Sequence, residues 1–251
     1  MQWSLVGSEM CIRDRAMGFG SAASIHHMIE AERRAYADRA QHLGDPDFFP
    51  VPVERLISQA YARERFAGFE ARKAGVSNAI EAGAIAYESR ETTHLSTMDA
   101  AGNAVALTTT LNGSYGAKIV VEGAGFLLNN EMDDFSAKPD TPNMYDLIGR
   151  EANAIAPRKR MLSSMTPTIV SADGEVVLVT GSPGGSTIIT TVLQVVMNVI
   201  DHQMSLSDAV AKPRFHHQWR PDAITIEPFG MSPDTLAVLA SYGHPEPRVM
   251  R

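Results

Sequence analysis

The feature that most constrains the fold is a long apolar segment between residues 187 and 200. Its apolar residues recur at the three- and four-residue spacing of a helix. They are Ile188, Ile189, Val192, Leu193, Val195, Val196, Val199 and Ile200. The spacing predicts a buried helix, although many of these side chains are β-branched.

Two pairs of β-rich segments precede this helix. The first pair covers residues 92–99 and 103–111, and the second covers residues 166–172 and 175–181 around the turn Asp173-Gly174. Each pair predicts a β-hairpin because two apolar, β-branched runs flank a short turn. These strands supply the β-rich part of the fold.

Helical patterns occupy the first part of the chain. Residues 21–40 predict a helix with one apolar face and charged residues on the other, and residues 53–72 predict a second helix. The inward-facing side chains of the second helix are predicted to be Leu56, Ile57, Ala60 and Tyr61. Two helices, then strand pairs with an intervening buried helix, predict a layered α+β fold rather than a doubly wound sheet.

Two stretches predict exposed loops. Residues 73–91 are weakly patterned, and residues 139–150 hold two prolines and a glycine. The first loop bears on function because it ends just before Thr92, and a cleavage site must be reachable. Later in the chain, residues 223–228 predict a strand, and Ser232 predicts the cap of a short helix.

Composition excludes several functional classes. The 251 residues carry a formal net charge of -7 and no Lys/Arg-rich run, which argues against binding to nucleic acid. Cys11 is the only cysteine, so an intrachain disulfide is excluded. The longest apolar run, near residues 192–200, is too short to span a bilayer, so we expect no membrane segment.

Residues 1–16 have an unusual sequence, MQWSLVGSEMCIRDRA. The stretch lacks the basic start, the sustained apolar run and the small-residue cleavage site of a signal peptide. A large part of it resembles translated sequencing-adapter sequence. We therefore expect residues 1–16 to be a non-native leader; the same stretch in genomic DNA upstream of the gene would contradict this.

The triplet Thr92-Thr93-His94 opens the first predicted hairpin. A Thr hydroxyl is a weak nucleophile until a base removes its proton, and the residue's own α-amine can be that base only at an N-terminus. Thr92 is internal, so this chemistry requires cleavage of the bond between Glu91 and Thr92. Taken alone, the triplet favours the other interpretation, in which these are ordinary strand residues.

The wider sequence resembles the γ-glutamyltranspeptidase family, colinearly from about residue 17 to the end. The segments that carry the resemblance are AYADRAQHLGDPDF (35–48), TTHLSTMDAAGNAVALTTTLNGSYG (92–116), LLNNEMDDFS (127–136), RMLSSMTPTIV (160–170), LVTGSPGGS (178–186) and PRFHHQW (213–219). Thr97 departs from the family, which usually has an aliphatic residue there. The resemblance implies the four-layer αββα sandwich of N-terminal-nucleophile hydrolases, truncated at both ends.

The family makes one precursor that cuts itself into a large and a small subunit. By this resemblance, residues 17–91 are the C-terminal part of the large subunit, and residues 92–251 are the small catalytic subunit, truncated at its C-terminal end. Cleavage between Glu91 and Thr92 frees Thr92 as the nucleophile. Thr110 matches the second Thr, whose hydroxyl lies beside the nucleophile.

The resemblance also implies how substrate is held. A γ-glutamyl group has an ammonium and a carboxylate at one end. The ammonium requires carboxylates as partners, and the carboxylate requires hydroxyls or a guanidinium. Asn112, Glu131 and Asp134 match the ammonium ligands, and Ser163 and Ser164 match the carboxylate ligands. Some bacterial relatives have Gln in place of Glu131, and the family's substrate-carboxylate Arg lies upstream of this chain. For the acidic residues, the other interpretation is a solvated charge cluster or a calcium-like loop, although the spacing does not fit an EF-hand. For Ser163 and Ser164, the other interpretation is that they are ordinary turn residues.

Two further assignments follow from the resemblance. Gly184 and Gly185, between a strand and a helix, match the amides of the oxyanion hole. One competing interpretation is a phosphate cradle, but the segment lacks the Lys and the spacing of a P-loop. Another is that Ser182 is a hydrolase nucleophile, but it does not stand in a G-x-S-x-G elbow. Tyr145 matches the lid tyrosine that contacts Asn112. The alternative is that the segment 139–150 is an ordinary surface loop.

The adjacent histidines His216 and His217 suggest a metal site at first sight. Neighbouring residues on a strand point to opposite faces, and the sequence places no third ligand near them. We therefore expect a structural role for both histidines and no metal or organic cofactor for the reaction.

The implied reaction is γ-glutamyl transfer from glutathione or another γ-glutamyl compound through a γ-glutamyl-threonine intermediate. The acceptors are amino acids, dipeptides and other peptides, or water, and the two subunits of one precursor form a heterodimer. Bacterial members are usually periplasmic or secreted. The alternatives are a cephalosporin or glutaryl acylase of the same fold, whose substrates can lack the ammonium, and an inactive, unprocessed fragment. The sequence does not decide between transfer and hydrolysis.

Overall fold

The computed structural model describes residues 16–79, 92–138 and 140–250. Its helices are α1 (Ala22–His42), α2 (Val53–Leu56), α3 (Gln59–Phe66), α4 (Thr187–Ile200), α5 (Leu206–Ala211) and α6 (Pro233–Ser241). Its strands are β1 (Thr92–Met98), β2 (Ala104–Thr110), β3 (Thr168–Ala172), β4 (Glu175–Thr180), β5 (Phe215–His216), β6 (Thr225–Ile226) and β7 (Arg248–Val249). Both predicted hairpins and the predicted helix after the glycine-rich loop are present, while α5 was not predicted.

The strands form three small sheets. β1 pairs with β2 and β3 pairs with β4, both antiparallel, and the second pair has a register shift between Val170 and Ser171. β6 lies between β5, its antiparallel partner, and β7, its parallel partner. The two hairpins lie against each other, because β1 and β2 both contact β4.

The main core contains side chains from both α1 and α4. Ile29 is fully buried and belongs to one cluster with Leu193, Ile224 and Leu239, and Val192 of α4 is fully buried as well. Burying one such side chain contributes about 1.5–3 kcal/mol. The prediction of a buried helix is confirmed for most of this segment: Ile188, Ile189, Val192, Leu193 and Val195 are buried. Towards its C-terminal end, Val196 and Val199 are half-buried and Ile200 is exposed.

The helix over residues 22–42 differs from its prediction in one respect. Its charged residues are buried as well as its apolar ones, among them Glu30, Arg33, Arg34 and Arg39. Burial of three of them is possible because Glu30 pairs with Arg33 and with Arg34, the latter through a contact of 2.6 Å between Arg34 Nη1 and Glu30 Oε2. Periodicity alone assigned these residues to an opposite, charged face.

The prediction of one helix over residues 53–72 was wrong. The first short helix ends at Leu56, and Ser58 caps the second, its Oγ accepting from the Tyr61 N–H at 3.2 Å. The break changes which residues face inward: Leu56 and Tyr61 are buried, whereas Ile57 and Ala60 are exposed. The chain therefore starts a new helix at the favourable cap residue Ser58 instead of continuing the first one. No helix in the described part of the chain is long and apolar enough to cross a membrane.

Candidate active site

The hairpin register brings the two candidate threonines together. Thr92 and Thr110 are directly opposite each other at the open ends of β1 and β2. The Thr92 hydroxyl donates to Thr110 Oγ1 at 3.3 Å, and the Asn112 N–H donates to the same oxygen at 2.9 Å. Asn112 has φ 71°, a conformation that Asn tolerates better than most residues, and it turns the chain back toward the pair.

The nucleophile strand lies against the start of the glycine-rich loop. A Cβ on Gly181 would stand only 2.2 Å from the His94 ring, so only glycine fits at this contact. The ring is held in place because His94 Nδ1 is 2.8 Å from Thr108 Oγ1. This contact brings the loop that begins at Gly181 to the strand that carries Thr92.

Gly184 and Gly185 stand between β4 and α4. Their φ values of 131° and 57° suit glycine, and a Cβ on Gly184 would lie 2.5 Å from Thr187 Oγ1. The Gly184 carbonyl accepts from Thr187 Oγ1 at 2.7 Å and from the Thr187 N–H at 3.1 Å. Within the described residues, neither glycine N–H donates to a backbone carbonyl. Two amides at the positive end of a helix can therefore receive a developing negative charge.

The acidic segment forms a 3-10 turn, Glu131–Asp134. Burial raises the pKa of Asp134 to about 7, with Arg39 lowering it and Asp133 and Glu131 raising it further. Burial also raises the pKa of Glu131. Asn112 joins this segment, since its Nδ2 donates to the Asn130 carbonyl at 3.3 Å.

The loop containing Tyr145 closes over Asn112. The Tyr145 hydroxyl donates to the Asn112 carbonyl at 2.5 Å, and the Tyr145 side chain is buried. The Met144 N–H donates to Asp133 Oδ2 at 2.8 Å, which ties this loop to the acidic segment. The segment 140–150 is therefore attached to the site rather than being a free surface loop.

The two candidate serines differ in their partners. Ser163 Oγ accepts from the Met165 N–H at 3.1 Å, as in a turn, whereas Ser164 Oγ accepts from Arg39 Nη2 at 3.1 Å. Their segment is anchored by Arg160, which donates to Asp45 through its backbone N–H at 2.9 Å and through its side chain. The Arg160 hydrogen bonds hold the pKa of Asp45 well below its usual range.

A buried amide connects the Tyr145 loop to the glycine-rich loop. Gln218 Nε2 donates to the Tyr145 carbonyl at 3.0 Å, and Gln218 Oε1 accepts from the Ser186 hydroxyl at 2.6 Å. The Tyr36 hydroxyl donates to the Ser186 carbonyl at 2.6 Å. These bonds fix the two walls of the site relative to helix α1.

Direct contacts therefore link Thr92, Thr110, Asn112, Tyr145 and the acidic segment. Arg39 donates a hydrogen bond to Ser164 and acts on Asp134 electrostatically. The loop that holds the glycine pair meets the nucleophile strand where Gly181 contacts His94. Glu91 lies outside the described residues. Sequence reasoning missed Arg39 and Gln218, although both stand in segments that carry the family resemblance.

The adjacent histidines His216 and His217 both have partners within the protein. His216 Nδ1 is 2.9 Å from Thr190 Oγ1, and His217 Nε2 is 3.2 Å from Asp222 Oδ1. The structural role expected for this pair agrees with these contacts.

One group in the described chain has metal-ligand character, namely His26, Glu30 and His244. However, His26 Nδ1 and His244 Nε2 are 2.6 Å apart, as in a direct hydrogen bond. Both Glu30 oxygens bind arginines, Arg33 at 3.2 Å and Arg34 at 2.6 Å. These atoms already satisfy one another, so the cluster has the chemistry of a buried polar network.

Comparison with curated proteins shows extensive similarity. The chain is 55% identical over 227 residues to the glutathione hydrolase proenzyme of Escherichia coli (strain K12), which covers 90% of this chain and 39% of that protein. It is 42% identical over 199 residues to the acylase ACY 1 proenzyme of Pseudomonas sp. (strain SE83), which covers 79% of this chain and 33% of that protein. The chain spans about 40% of the length of the glutathione hydrolase proenzymes of Escherichia coli (strain K12) and Pseudomonas sp. (strain A14).

Solved structures give the same fold. A mutant γ-glutamyltranspeptidase of Helicobacter pylori matches with a TM-score of 0.60 and 57% identity, covering 63% of this chain and 83% of that one. A cephalosporin acylase from Bacillus halodurans matches with a TM-score of 0.75 at 23% identity, covering 100% of this chain and 42% of that one, a likeness of fold alone. The family model described as gamma-glutamyltranspeptidase matches residues 8–249. The chain therefore belongs to the γ-glutamyltranspeptidase family and has the α+β fold of N-terminal-nucleophile hydrolases.

Proposed function

We propose that Thr92 is the nucleophile of a γ-glutamyltransferase and glutathione hydrolase, freed when a precursor cleaves itself between Glu91 and Thr92. The observation that carries this proposal is the hydroxyl pair, with Thr92 Oγ1 3.3 Å from Thr110 Oγ1 beside the acidic segment. Family membership and the similarity to proteins named glutathione hydrolase proenzyme support it.

The acyl transfer follows from this arrangement. The α-amine of Thr92 accepts the hydroxyl proton as Oγ1 attacks the γ-carbonyl carbon of the donor. The N–H groups of Gly184 and Gly185 stabilise the oxyanion, and the amine leaves with the proton from the Thr92 ammonium. Water or the amine of an amino acid or dipeptide then attacks the ester, returning the proton to Thr92 and releasing the product. Thr110 holds the nucleophile's hydroxyl in place.

Donor recognition uses the two opposite charges at one end of the γ-glutamyl group. Asn112, Glu131 and Asp134 bind the α-ammonium, and Ser163 and Ser164 bind the α-carboxylate. Tyr145 forms the wall over Asn112, supported by its 2.5 Å hydrogen bond to the Asn112 carbonyl. Glutathione and other γ-glutamyl compounds carry both charged groups and are the proposed donors.

The proposal extends to the organisation of the protein. Residues 17–91 form the C-terminal end of a large subunit, and residues 92–251 belong to a small subunit, the two making a heterodimer from one precursor. We place the protein in the periplasm or outside the cell. The proposed reaction uses only groups of the protein and its substrates.

The test begins with the complete gene product, whose mass shows whether it cleaves. Two chains with Thr92 at the N-terminus of the second, and release of p-nitroaniline from γ-glutamyl-p-nitroanilide, are the expected results. Thr92→Ala should leave a single chain and reduce release about 10⁴-fold or more. An intact wild-type chain without activity would overturn the proposal in favour of a non-catalytic protein.

An acylase is the second candidate, because the acylase ACY 1 proenzyme is 42% identical to this chain. Glutaryl-p-nitroanilide differs from the γ-glutamyl compound only in lacking the α-ammonium. The acidic segment favours the γ-glutamyl substrate, so we expect kcat/KM to be higher for it by about 10-fold or more. A preference for the glutaryl compound would favour the acylase.

A further inference from the structure

We propose that Arg39 is a positioning residue for the γ-glutamyl donor, directing the Ser164 hydroxyl toward the donor carboxylate while balancing the negative charge around Asp134. The inference rests on the proposed function and deepens it. Arg39 lies near the C-terminal end of α1, the helix that packs against α4, and it has no role among the residues assigned above.

Arg39 forms a hydrogen bond with Ser164. Arg39 Nη2 donates to Ser164 Oγ at 3.1 Å, and the Arg39 side chain is only 5% exposed. A guanidinium carries donors only, so the serine oxygen must accept. The proton of the Ser164 hydroxyl must then point away from Arg39, where it is available to a substrate carboxylate. The charged donor also polarises this hydroxyl.

Arg39 also affects the ionisation of the Asp134 carboxyl group. Three ionisable groups face its carboxylate: Glu131 and Asp133 from the same turn, and Arg39 from α1. The Asn143 amide adds a neutral donor at 3.5 Å. Burial and the two acids raise the pKa of Asp134, to about 7, and Arg39 is the group that lowers it. Removing the guanidinium would leave Asp134 protonated at a higher pH and unable to bind an ammonium as a carboxylate.

The geometry of the ligand connects these two effects of Arg39. The ammonium and the carboxylate of a γ-glutamyl group share one carbon atom, so their two binding sites must be adjacent. Arg39 contacts one site and acts electrostatically on the other. It does not repel the ammonium overall, because three carboxylates oppose one guanidinium when all are ionised.

The buried state of Arg39 supports a functional role over a purely structural one. Its Nε has no hydrogen-bond partner in the described chain, and burial lowers the pKa of the guanidinium. A buried, partly unsatisfied cation is unfavourable for stability and requires an explanation. Positioning the two ends of a zwitterion provides one.

The experiment uses the complete, processed enzyme and measures kcat and KM for γ-glutamyl-p-nitroanilide between pH 5 and 9. Arg39→Met should raise KM about 10- to 100-fold at pH 7 with a smaller change in kcat, because a charged hydrogen bond and a charge balance are lost together. The acidic limb of the pH profile should move to higher pH. Arg39→Lys should return that limb toward the wild-type position, while KM stays raised because the geometry at Ser164 differs.

Arg34→Met is the matched control. Arg34 is a buried cation on the same helix that pairs with Glu30 at 2.6 Å, away from both serines. It should reduce stability without moving the acidic limb. Should Arg39→Met fail to process, the Arg39→Lys profile supplies the same comparison.

An active wild type in which neither Arg39 variant changes KM or the acidic limb would overturn the role of Arg39 alone. The same limb shift in Arg34→Met would also overturn it. A processed wild type that releases no p-nitroaniline would instead overturn the proposed function.

Discussion

The helical half of the molecule and the hairpins that carry the nucleophile are built differently. In α1 and α4, side chains such as Ile29 and Val192 are fully buried. On the first hairpin, Leu95 is 57% exposed and Leu107 is 51% exposed, although both are large and apolar. The helices make a complete core from this chain, whereas the hairpins do not.

This difference has a physical consequence for the site. A β-sheet face with exposed apolar side chains gains stability when another layer covers it. The curated relatives are longer than this chain, which spans about 40% of their length. Thr92 therefore stands on the less supported half, while Arg39, Tyr36 and the start of α4 belong to the better packed half.

The largest expected effect concerns the 251-residue chain by itself. We expect it to release little or no p-nitroaniline from γ-glutamyl-p-nitroanilide, because uncovered hairpins leave Thr92 poorly positioned. The complete gene product measured in parallel is the control. Comparable turnover by the two proteins would contradict the difference between the two halves, because it would show that the hairpins need no further covering layer.

The next effect compares one residue from each half. In the Thr92→Ala precursor, which should remain one chain, Ile29→Ala is expected to lower the free energy of unfolding by about 2–5 kcal/mol through loss of burial and a cavity. In the 251-residue chain, Leu107→Ala should cost about 0.5 kcal/mol or less, because its side chain is half exposed there.

Urea titrations measure both differences. Repeating Leu107→Ala in the precursor sharpens the comparison, since a larger cost there would show that additional sequence covers the hairpin. A small effect of Ile29→Ala in the precursor would contradict the core assigned to α1 and α4.

A smaller effect is expected at the contact between the two halves. Gly181→Ala would place a Cβ 2.2 Å from the His94 ring and push β1 away from the glycine-rich loop. We expect kcat/KM to fall about 10- to 100-fold, because the nucleophile and the oxyanion amides would separate. His94→Ala should restore much of the activity of Gly181→Ala if the clash is the cause. Equal defects in the single and double variants would contradict this explanation.

Local pattern predicted much of this architecture, since helix α4 and both hairpins depend on short-range spacing and turns. The facing positions of Thr92 and Thr110 also follow from a hairpin register. Arg39 and Ser164 are 125 residues apart, and their contact depends on tertiary packing. Periodicity assigns charged residues to the face opposite the apolar one, so it predicted neither the burial of Arg39 nor the buried ion pairs of α1. The break at Ser58 was missed because helical spacing continues through it.

The smallest expected effect is acid sensitivity of the helical half. Burial lowers the pKa of His217 to about 4, below its ordinary value of 6.5. A histidine whose pKa is depressed by folding binds a proton more readily when unfolded, so its contribution to stability is present above pH 6.5 and lost as the pH falls toward 4. We expect the free energy of unfolding of the Thr92→Ala precursor to fall by about 1–3 kcal/mol across this window from His217. His217→Asn should be less stable at pH 7 but show a shallower decline, measured by urea titration at pH 7 and pH 4.5. An unchanged slope would show that acid acts through other groups, of which His244 is the first to test because burial lowers its pKa to about 4 as well.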